Sequence, residues 1–166
     1  MEKKYVRKVQ TAVNVFINCG NEYLMLKRSE NKKVDPGRLN GIGGRLESGE
    51  NFLDACIREV WEETDYKITS NNLKFSGVIR IEGGYSEDWL MCFFKCRIEN
   101  KEIPKGNNTE DGKLLWINKD KVLDSEYDLI DDLKYTWKDI LAEKIFFANA
   151  KFNKSGKLES ISISKL

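Results

Sequence analysis

The chain contains no histidine. That absence excludes Ser-His-Asp and Cys-His catalysis, histidine-ligated zinc and histidine general bases. Hydrolysis by this protein would have to run through carboxylates, a metal ion, lysine or tyrosine. An excess of either charge is missing as well. Twenty-eight Lys and Arg stand against 27 Asp and Glu, a formal net charge of +1 with the lysines scattered. Nothing in this balance draws the chain generally to nucleic acid or to a membrane surface. No apolar run is long enough to cross a bilayer, and Met1, Glu2, Lys3 and Lys4 do not lead into a signal-peptide core. The four cysteines, Cys19, Cys56, Cys92 and Cys96, lack zinc-ligand spacing. Cys92 and Cys96 are four apart in an expected strand, on one face but too distant for a bridge. Buried free thiols in a reducing cytoplasm are the expectation. Repeats, low-complexity blocks and linkers are absent too. With 166 residues, 40% of them apolar, the sequence is expected to form one domain over 1–166.

What is present is concentrated between positions 43 and 66. Gly43-Gly44-Arg45-Leu46-Glu47-Ser48-Gly49-Glu50 runs into Arg58-Glu59-Val60-Trp61-Glu62-Glu63. On a helix, Glu59, Glu62 and Glu63 fall at i, i+3 and i+4 and share one face. Leu53, Cys56, Ile57, Val60 and Thr64 fall on the opposite arc, as a core-facing stripe. Carboxylates about 6 Å apart repel by roughly 2–3 kcal/mol per pair at an effective dielectric near 20. A cation between them offsets that repulsion, and all-oxygen ligands favour Mg²⁺ or Mn²⁺. A glutamate-rich helix is otherwise most often a solvated surface; the glycines before it and Arg58 beside it argue against that here.

This spacing resembles the box of the Nudix (MutT-like) pyrophosphohydrolases. Gly44, Glu50, Arg58, Glu59, Val60, Glu62 and Glu63 occupy its fixed positions with both gaps correct. Asp65 and Tyr66 depart from its closing glycine and aliphatic residue. Asp tolerates the left-handed conformation that the glycine normally adopts, so the helix stop is expected to survive. The resemblance implies an α/β fold, an α/β/α sandwich with a curved mixed sheet and two main helices. It also implies divalent metal, Mg²⁺ or Mn²⁺, held by Glu59, Glu62, Glu63 and the Gly43 carbonyl. Arg58 would brace the carboxylates and Glu50 would support the loop; spacing alone equally allows Arg58 a plain surface ion pair with Glu62. Asp111, with Glu110 beside it, matches an acidic-Gly-x-Leu-x-Trp strand entry of MutT-like chains and is a possible general base, although both acids could simply cap a loop.

Two further resemblances concern the substrate. Leu39-Asn40-Gly41-Ile42-Gly43-Gly44 is similar to the entry segment of the 8-oxo-dGTP diphosphatases, which makes Asn40 a base-reading candidate and Gly44 part of the substrate site. Leu39 departs from the aromatic residue of that segment. Asp131 and Asp132, followed by Trp137 and Phe146-Phe147, resemble the same subgroup's second helix, where paired acids read the purine and an aromatic stacks on it. Acids at a helix start also stabilise the dipole without any ligand. Trp89 and Tyr85 are alternative stacking partners.

The expected activity is Mg²⁺-dependent hydrolysis of nucleoside triphosphates to monophosphate and pyrophosphate, with oxidised purines favoured. The alternatives are hydrolysis of ADP-ribose, a dinucleoside polyphosphate or a similar derivative, and a non-catalytic Nudix-fold binding module. The expected partner is a nucleotide, with no nucleic acid or membrane partner; the oligomeric state stays open, a monomer being compatible.

Periodicity predicts strands over 10–18, 23–27, 40–44, 73–82, 88–97 and 113–117. Helices are predicted over 51–64 and 131–143, with a helical turn over 119–123. Segments 29–39 and 103–108 read as loops. A C-terminal hairpin is predicted from 145–152 and 157–164.

Overall fold

The computed structural model describes residues 6–124 and 126–166; Met1, Glu2, Lys3 and Lys4 lie outside them. β1 (Val9–Cys19) is the hub of a mixed sheet. Along one edge it runs parallel to β6 (Asp88–Arg97), from Val9 opposite Asp88 to Asn18 opposite Arg97. Its other edge is divided. Residues 17–19 pair with β2 (Glu22–Arg28) and residues 12–15 with β4 (Ile42–Arg45), both antiparallel. β3 (Leu39–Asn40) and β7 (Gly112–Asn118) both pair with β2. On the far side β6 pairs with β5 (Leu73–Gly83), β5 runs parallel to β8 (Phe146–Phe152), and β9 (Leu158–Lys165) ends the row.

Alternation along β1 sorts the two cores, because successive side chains leave opposite faces of a strand. Val13, Val15 and Ile17 pack with Ala55, Cys56 and Val60 of α1 (Phe52–Thr64). Phe16 instead packs with Leu133, Trp137 and Ile140 of α2 (Asp131–Leu141) and with Phe93 and Phe146. The sheet therefore lies between two helices, the α/β arrangement expected. Each fully buried Leu, Ile or Phe contributes roughly 1.5–3 kcal/mol. Among the described residues no helix is long and apolar enough to cross a membrane.

α1 starts and stops by local chemistry. The Asn51 Oδ1 accepts from the Leu53 and Asp54 amides (2.8 and 3.1 Å), and the Asp54 carboxylate accepts from the Asn51 amide (3.2 Å). This reciprocal cap satisfies amides that the helix leaves unpaired; losing such a cap costs about 1 kcal/mol. At the other end Asp65 adopts the left-handed conformation (φ 60°), and its amide donates to the Trp61 carbonyl at 2.8 Å. The glycine-like stop survives without glycine.

Several expectations need correction. The segment 40–44 is two short strands, β3 and β4, on different partners. Gly41 makes the joint, since a side chain there would collide with the Asn14 Oδ1. Leu53 is exposed and Ala55 is buried, because Leu53 lies about 100° around the helix from the sheet-facing Phe52 edge. Residues 119–123 form hydrogen-bonded turns rather than helix: the Asn118 side chain takes the Asp120 amide and competes with helical bonding. α2 ends at Leu141, two residues early. Glu143 is left-handed (φ 56°), its carboxylate gripped by Lys74 and Lys95 at 2.9 and 3.1 Å. All four cysteines are free; three are buried and Cys19 is partly exposed.

Candidate active site

The loop from β4 into α1 is shaped by close approach. A side chain at Gly43 would overlap the Val13 carbonyl, and one at Gly44 would overlap the Glu59 carboxylate. Beyond the loop, Arg58 gathers the acids of α1. Its Nε and Nη2 donate to Glu50 at 2.6 and 3.0 Å, and its Nη1 donates to Glu59 at 2.8 Å and more weakly to Glu62 at 3.3 Å. Nη2 also reaches the Arg45 carbonyl at 2.9 Å, tying helix to loop. Glu50 completes the brace by accepting the Glu47 amide at 2.9 Å. The Arg58 hydrogen bonds and the Glu47 amide hold the Glu50 carboxyl down to about 2. The neighbouring acids behave oppositely. Burial pushes Glu59 up, with Glu62 and Glu63 adding to the effect against the pull of Arg58. Burial likewise pushes Glu63 up, with Asp111 and Glu62 nearby, and its Oε2 is buried with no hydrogen-bond partner.

Behind this face lies a cleft of about 500 Å³, to which Gly43, Gly44 and Arg45 contribute one wall. Its aromatic and apolar lining comes from Tyr85, Trp89, Met91, Ile81 and Phe152. Trp89 is fixed between the Arg45 guanidinium, 4.9 Å over its ring, and the edge of Tyr85. Polar and charged side chains line it as well, among them Asn14, Arg38, Asn40, Asp131 and Asp132. Asn40 Oδ1 accepts from the Asn14 amide group at 2.7 Å and from the Gly41 amide at 2.8 Å, leaving the buried Asn14 Oδ1 without a partner. Asp132 is 5% exposed, and its Oδ2 has no partner either. Burial pushes its carboxyl up to about 6, reinforced by Asp35 and Asp131 and opposed by Arg38.

The adjacent Asp131 has the opposite fate. Arg38 donates to it at 2.9 Å, to Asp35 at 3.0 Å and to the Leu129 carbonyl at 2.7 Å, and lies 3.6 Å from Asp128. Burial alone would raise Asp131, but Arg38 and Lys134 outweigh it and hold the carboxyl below its ordinary range. Arg38 and Lys134 thus make one of two neighbouring acids ion-paired, while the other keeps a buried Oδ2 without a partner.

A NUDIX domain model matches residues 8–137. The chain belongs to the Nudix family. Among curated relatives, the nucleoside triphosphatase NudI of Escherichia fergusonii is 29% identical over 128 residues, covering 72% of this chain and 88% of the relative. NudI of Enterobacter sp. strain 638 is 25% identical over 140 residues, covering 80% and 98%. Of solved structures, a MutT protein from Bacillus halodurans superposes with a TM-score of 0.78 at 23% identity, over 93% of this chain and 97% of that one. This Nudix chain is a pyrophosphohydrolase, and Nudix hydrolases generally use divalent metal on small nucleotide substrates.

The Nudix box residues Glu50, Arg58, Glu59, Glu62 and Glu63 come together as their spacing requires. Among the described residues, no three carboxylate or thiol side chains are already gathered around one point. The donor set nevertheless fits a hard cation: Glu59 and Glu63 are half-buried carboxyls disfavoured as anions, and one Glu63 oxygen is orphaned. Asp111 lies close enough to Glu63 to raise its carboxyl, lines the cleft and pairs with Lys32, whereas Glu110 is exposed. Asn40, Gly44, Asp131 and Asp132 all line the cleft. The aromatic expectation is corrected. Trp137 and Phe146 are buried in the α2 core and Phe147 faces solvent; Trp89 and Tyr85 line the cleft instead. Sequence reasoning missed Asn14, Arg38 and Phe152. Asn14 carried a usable signal, an amide in the apolar middle of a strand, between Val13 and Val15. Arg38 and Phe152 carried none, since only the fold brings them to the acid pair and to Trp89.

Proposed function

We propose that this Nudix chain hydrolyses nucleoside triphosphates to the monophosphate and pyrophosphate with Mg²⁺, and that oxidised purine nucleotides are its preferred substrates. The observation that carries the reading is the continuity of two unlike surfaces. A cleft with buried, unpartnered polar atoms meets an acidic helix face at Gly44 and Glu59. The first suits a nucleobase, the second a metal-bound polyphosphate. The relatives named nucleoside triphosphatase favour a triphosphate over ADP-ribose or a dinucleoside polyphosphate.

Phosphoric anhydrides resist water because their negative charge repels a nucleophile, so catalysis needs neutralisation of charge and an oriented water. Glu59, Glu62, Glu63 and the Gly43 carbonyl would hold Mg²⁺, which when bound neutralises phosphate oxygens and acidifies water. Arg58 keeps Glu59 and Glu62 aimed at one region through charge-assisted hydrogen bonds, and Glu50 fixes Arg58 in turn. Asp111, whose charge acts on Glu63 and which pairs with Lys32, would accept the proton of the attacking water, in preference to the exposed Glu110. In the cleft, Trp89 and Tyr85 offer aromatic faces to a base. The Asn14 Oδ1 and the Asp132 Oδ2 are orphaned acceptors that ligand N–H groups would satisfy, and a base lacking those donors forfeits about 1–3 kcal/mol. Oxidation of guanine at C8 adds one such donor at N7.

A nucleotide panel assayed with Mg²⁺, reading pyrophosphate against orthophosphate, tests this directly. Pyrophosphate release with the highest kcat/KM on 8-oxo-dGTP is expected. Orthophosphate as first product, or a clear preference for a sugar diphosphate, would overturn it.

A further inference from the structure

The aromatic wall of the cleft stands where the sheet ladder gives out. β5 and β6 pair as far as Ile81 opposite Trp89, and residues 84–87 then cross between the two strands outside the ladder. This loop carries Tyr85, whose ring edge meets Trp89 at a centroid distance of 6.4 Å. On the β5 flank the loop leans on β8. Gly83 and Gly84 are both left-handed (φ 71° and 69°), and a side chain at either would overlap Phe152. On the β6 flank it is held by a residue from outside the matched span 8–137. The Arg7 Nη2 donates to the Tyr85 carbonyl at 2.7 Å.

Arg7 has a second attachment. Its Nε lies 3.0 Å from the carboxylate of Asp88, the first residue of β6 and the neighbour of Trp89. Asp88 is fully buried, where a carboxylate is tolerated only with compensating charge. Arg80 supplies more of that charge, donating to the other Asp88 oxygen at 3.3 Å and lying 3.2 Å from Glu82. The Asn149 side chain of β8 in turn donates to Glu82 at 2.7 Å. A polar row therefore crosses from β8 through β5 and β6 to the segment before β1. By strand alternation Arg80, Glu82 and Asp88 leave the sheet on the face opposite Ile81, Trp89 and Met91, which line the cleft. Arg7 thus grips the aromatic wall from behind.

We propose that Arg7 is a positioning residue for nucleotide binding: one guanidinium ties the Tyr85 loop to the start of β6 and so presets the Tyr85–Trp89 pair for the base. The inference rests on the reading that the base stacks in this cleft. A loop ordered before binding need not be ordered by the ligand, and losing that order shows in KM rather than in kcat.

Steady-state kinetics on the full chain, with the triphosphate it turns over best, test the proposal alongside melting and amide hydrogen exchange. Arg7→Met should raise KM about fivefold or more and leave kcat within about twofold of the parent. It should also lower the melting temperature, because the buried Asp88 then has one arginine fewer, and speed exchange at residues 84–88. Arg7→Met with Asp88→Asn separates positioning from charge compensation. The buried charge is then gone, so most of the melting temperature should return, while KM and exchange stay raised because the Tyr85 carbonyl still lacks its donor. Should Arg7→Met alone fail to fold, the double variant carries the test. Trp89→Leu marks the cleft itself and should raise KM at least as much. A KM that recovers together with the melting temperature overturns the proposal, since Arg7 would then only neutralise Asp88. An unchanged KM in both Arg7 variants, with KM raised in Trp89→Leu, overturns it while the reading of the cleft stands. An unchanged KM in Trp89→Leu as well overturns both.

Discussion

Two arginines organise this molecule, and they do so over very different distances along the chain. Arg58 collects Glu50, Glu59 and Glu62, all within eight residues of itself. Arg38 collects Asp35, Asp128 and Asp131, joining a loop after β2 to the start of α2 more than ninety residues later. The acidic helix face is thus assembled by one helix and its entry loop, whereas the cleft floor exists only once the sheet has brought distant segments together. The first should tolerate damage elsewhere but not loss of an acid. The second should respond to any change that loosens the long-range clamp.

The largest effect is expected in the local region. If Glu63 holds the metal as proposed, Glu63→Gln should lower kcat on the order of 10²–10³-fold and leave the fold intact. Circular dichroism and melting should match the parent. Near-parental Mg²⁺-dependent turnover in that variant would remove Glu63 from the metal site and with it the reading of α1.

In the cleft, Asp132→Asn should separate stability from selectivity. The Asp132 carboxyl is raised from 3.8 to about 6 by burial, so between those values the folded state binds more protons than the unfolded one. Its contribution to stability is full below the lower value and is lost as pH rises through about 6, at most about 3 kcal/mol. The substitution should therefore raise the melting temperature at pH 8 and bring little gain at pH 4. Discrimination between oxidised and normal purine triphosphates should fall about 10–100-fold. A melting temperature that drops at pH 8 would mean that Asp132 is ionised and paired.

The same contrast explains what was legible in the sequence. The box declared itself because every member lies within one loop and one helix, where spacing alone fixes geometry. The helix cap at Asn51 and the stop at Asp65 are local for the same reason. The acid pair at 131 and 132 was visible as a pair, and Lys134 three residues on from Asp131 is a local partner, but the partner that completes the distinction is not local. That partner is Arg38, delivered by a loop whose conformation the sequence does not encode in any periodicity. The stacking aromatic was misplaced likewise. Trp137 sits at a helical spacing that suits either core or cleft, and the packing of Phe16 and Tyr23 against its ring decides for the core. The single expected strand over 40–44 failed because its division depends on contact between Gly41 and Asn14, a neighbour across the sheet.

Arg38→Gln sharpens the distinction between the two regions. It should raise KM for the triphosphate several-fold while kcat changes little, and should cost about 1–2 kcal/mol of stability at a half-buried ion pair. Adding Asp131→Asn should recover part of both losses, because the Asp131 charge beside Asp132, left with Lys134 as its remaining partner, is then gone. If kcat fell as steeply as kcat/KM, Arg38 would be coupled to the acidic helix, and the two regions would not be separable.

The smallest effect tests how self-contained α1 is. Asp65 stands where the Nudix box has glycine and adopts φ 60° at the helix end. Glycine reaches that conformation without steric cost, but it also gives the unfolded chain more freedom. The two effects oppose, so Asp65→Gly should shift stability by only a few tenths of a kcal/mol, about 1–2 °C in melting temperature, with KM unchanged. A rise in KM would show that closing this helix reaches the cleft. A loss above about 1 kcal/mol would show that the Asp65 side chain, not merely its backbone, holds the stop.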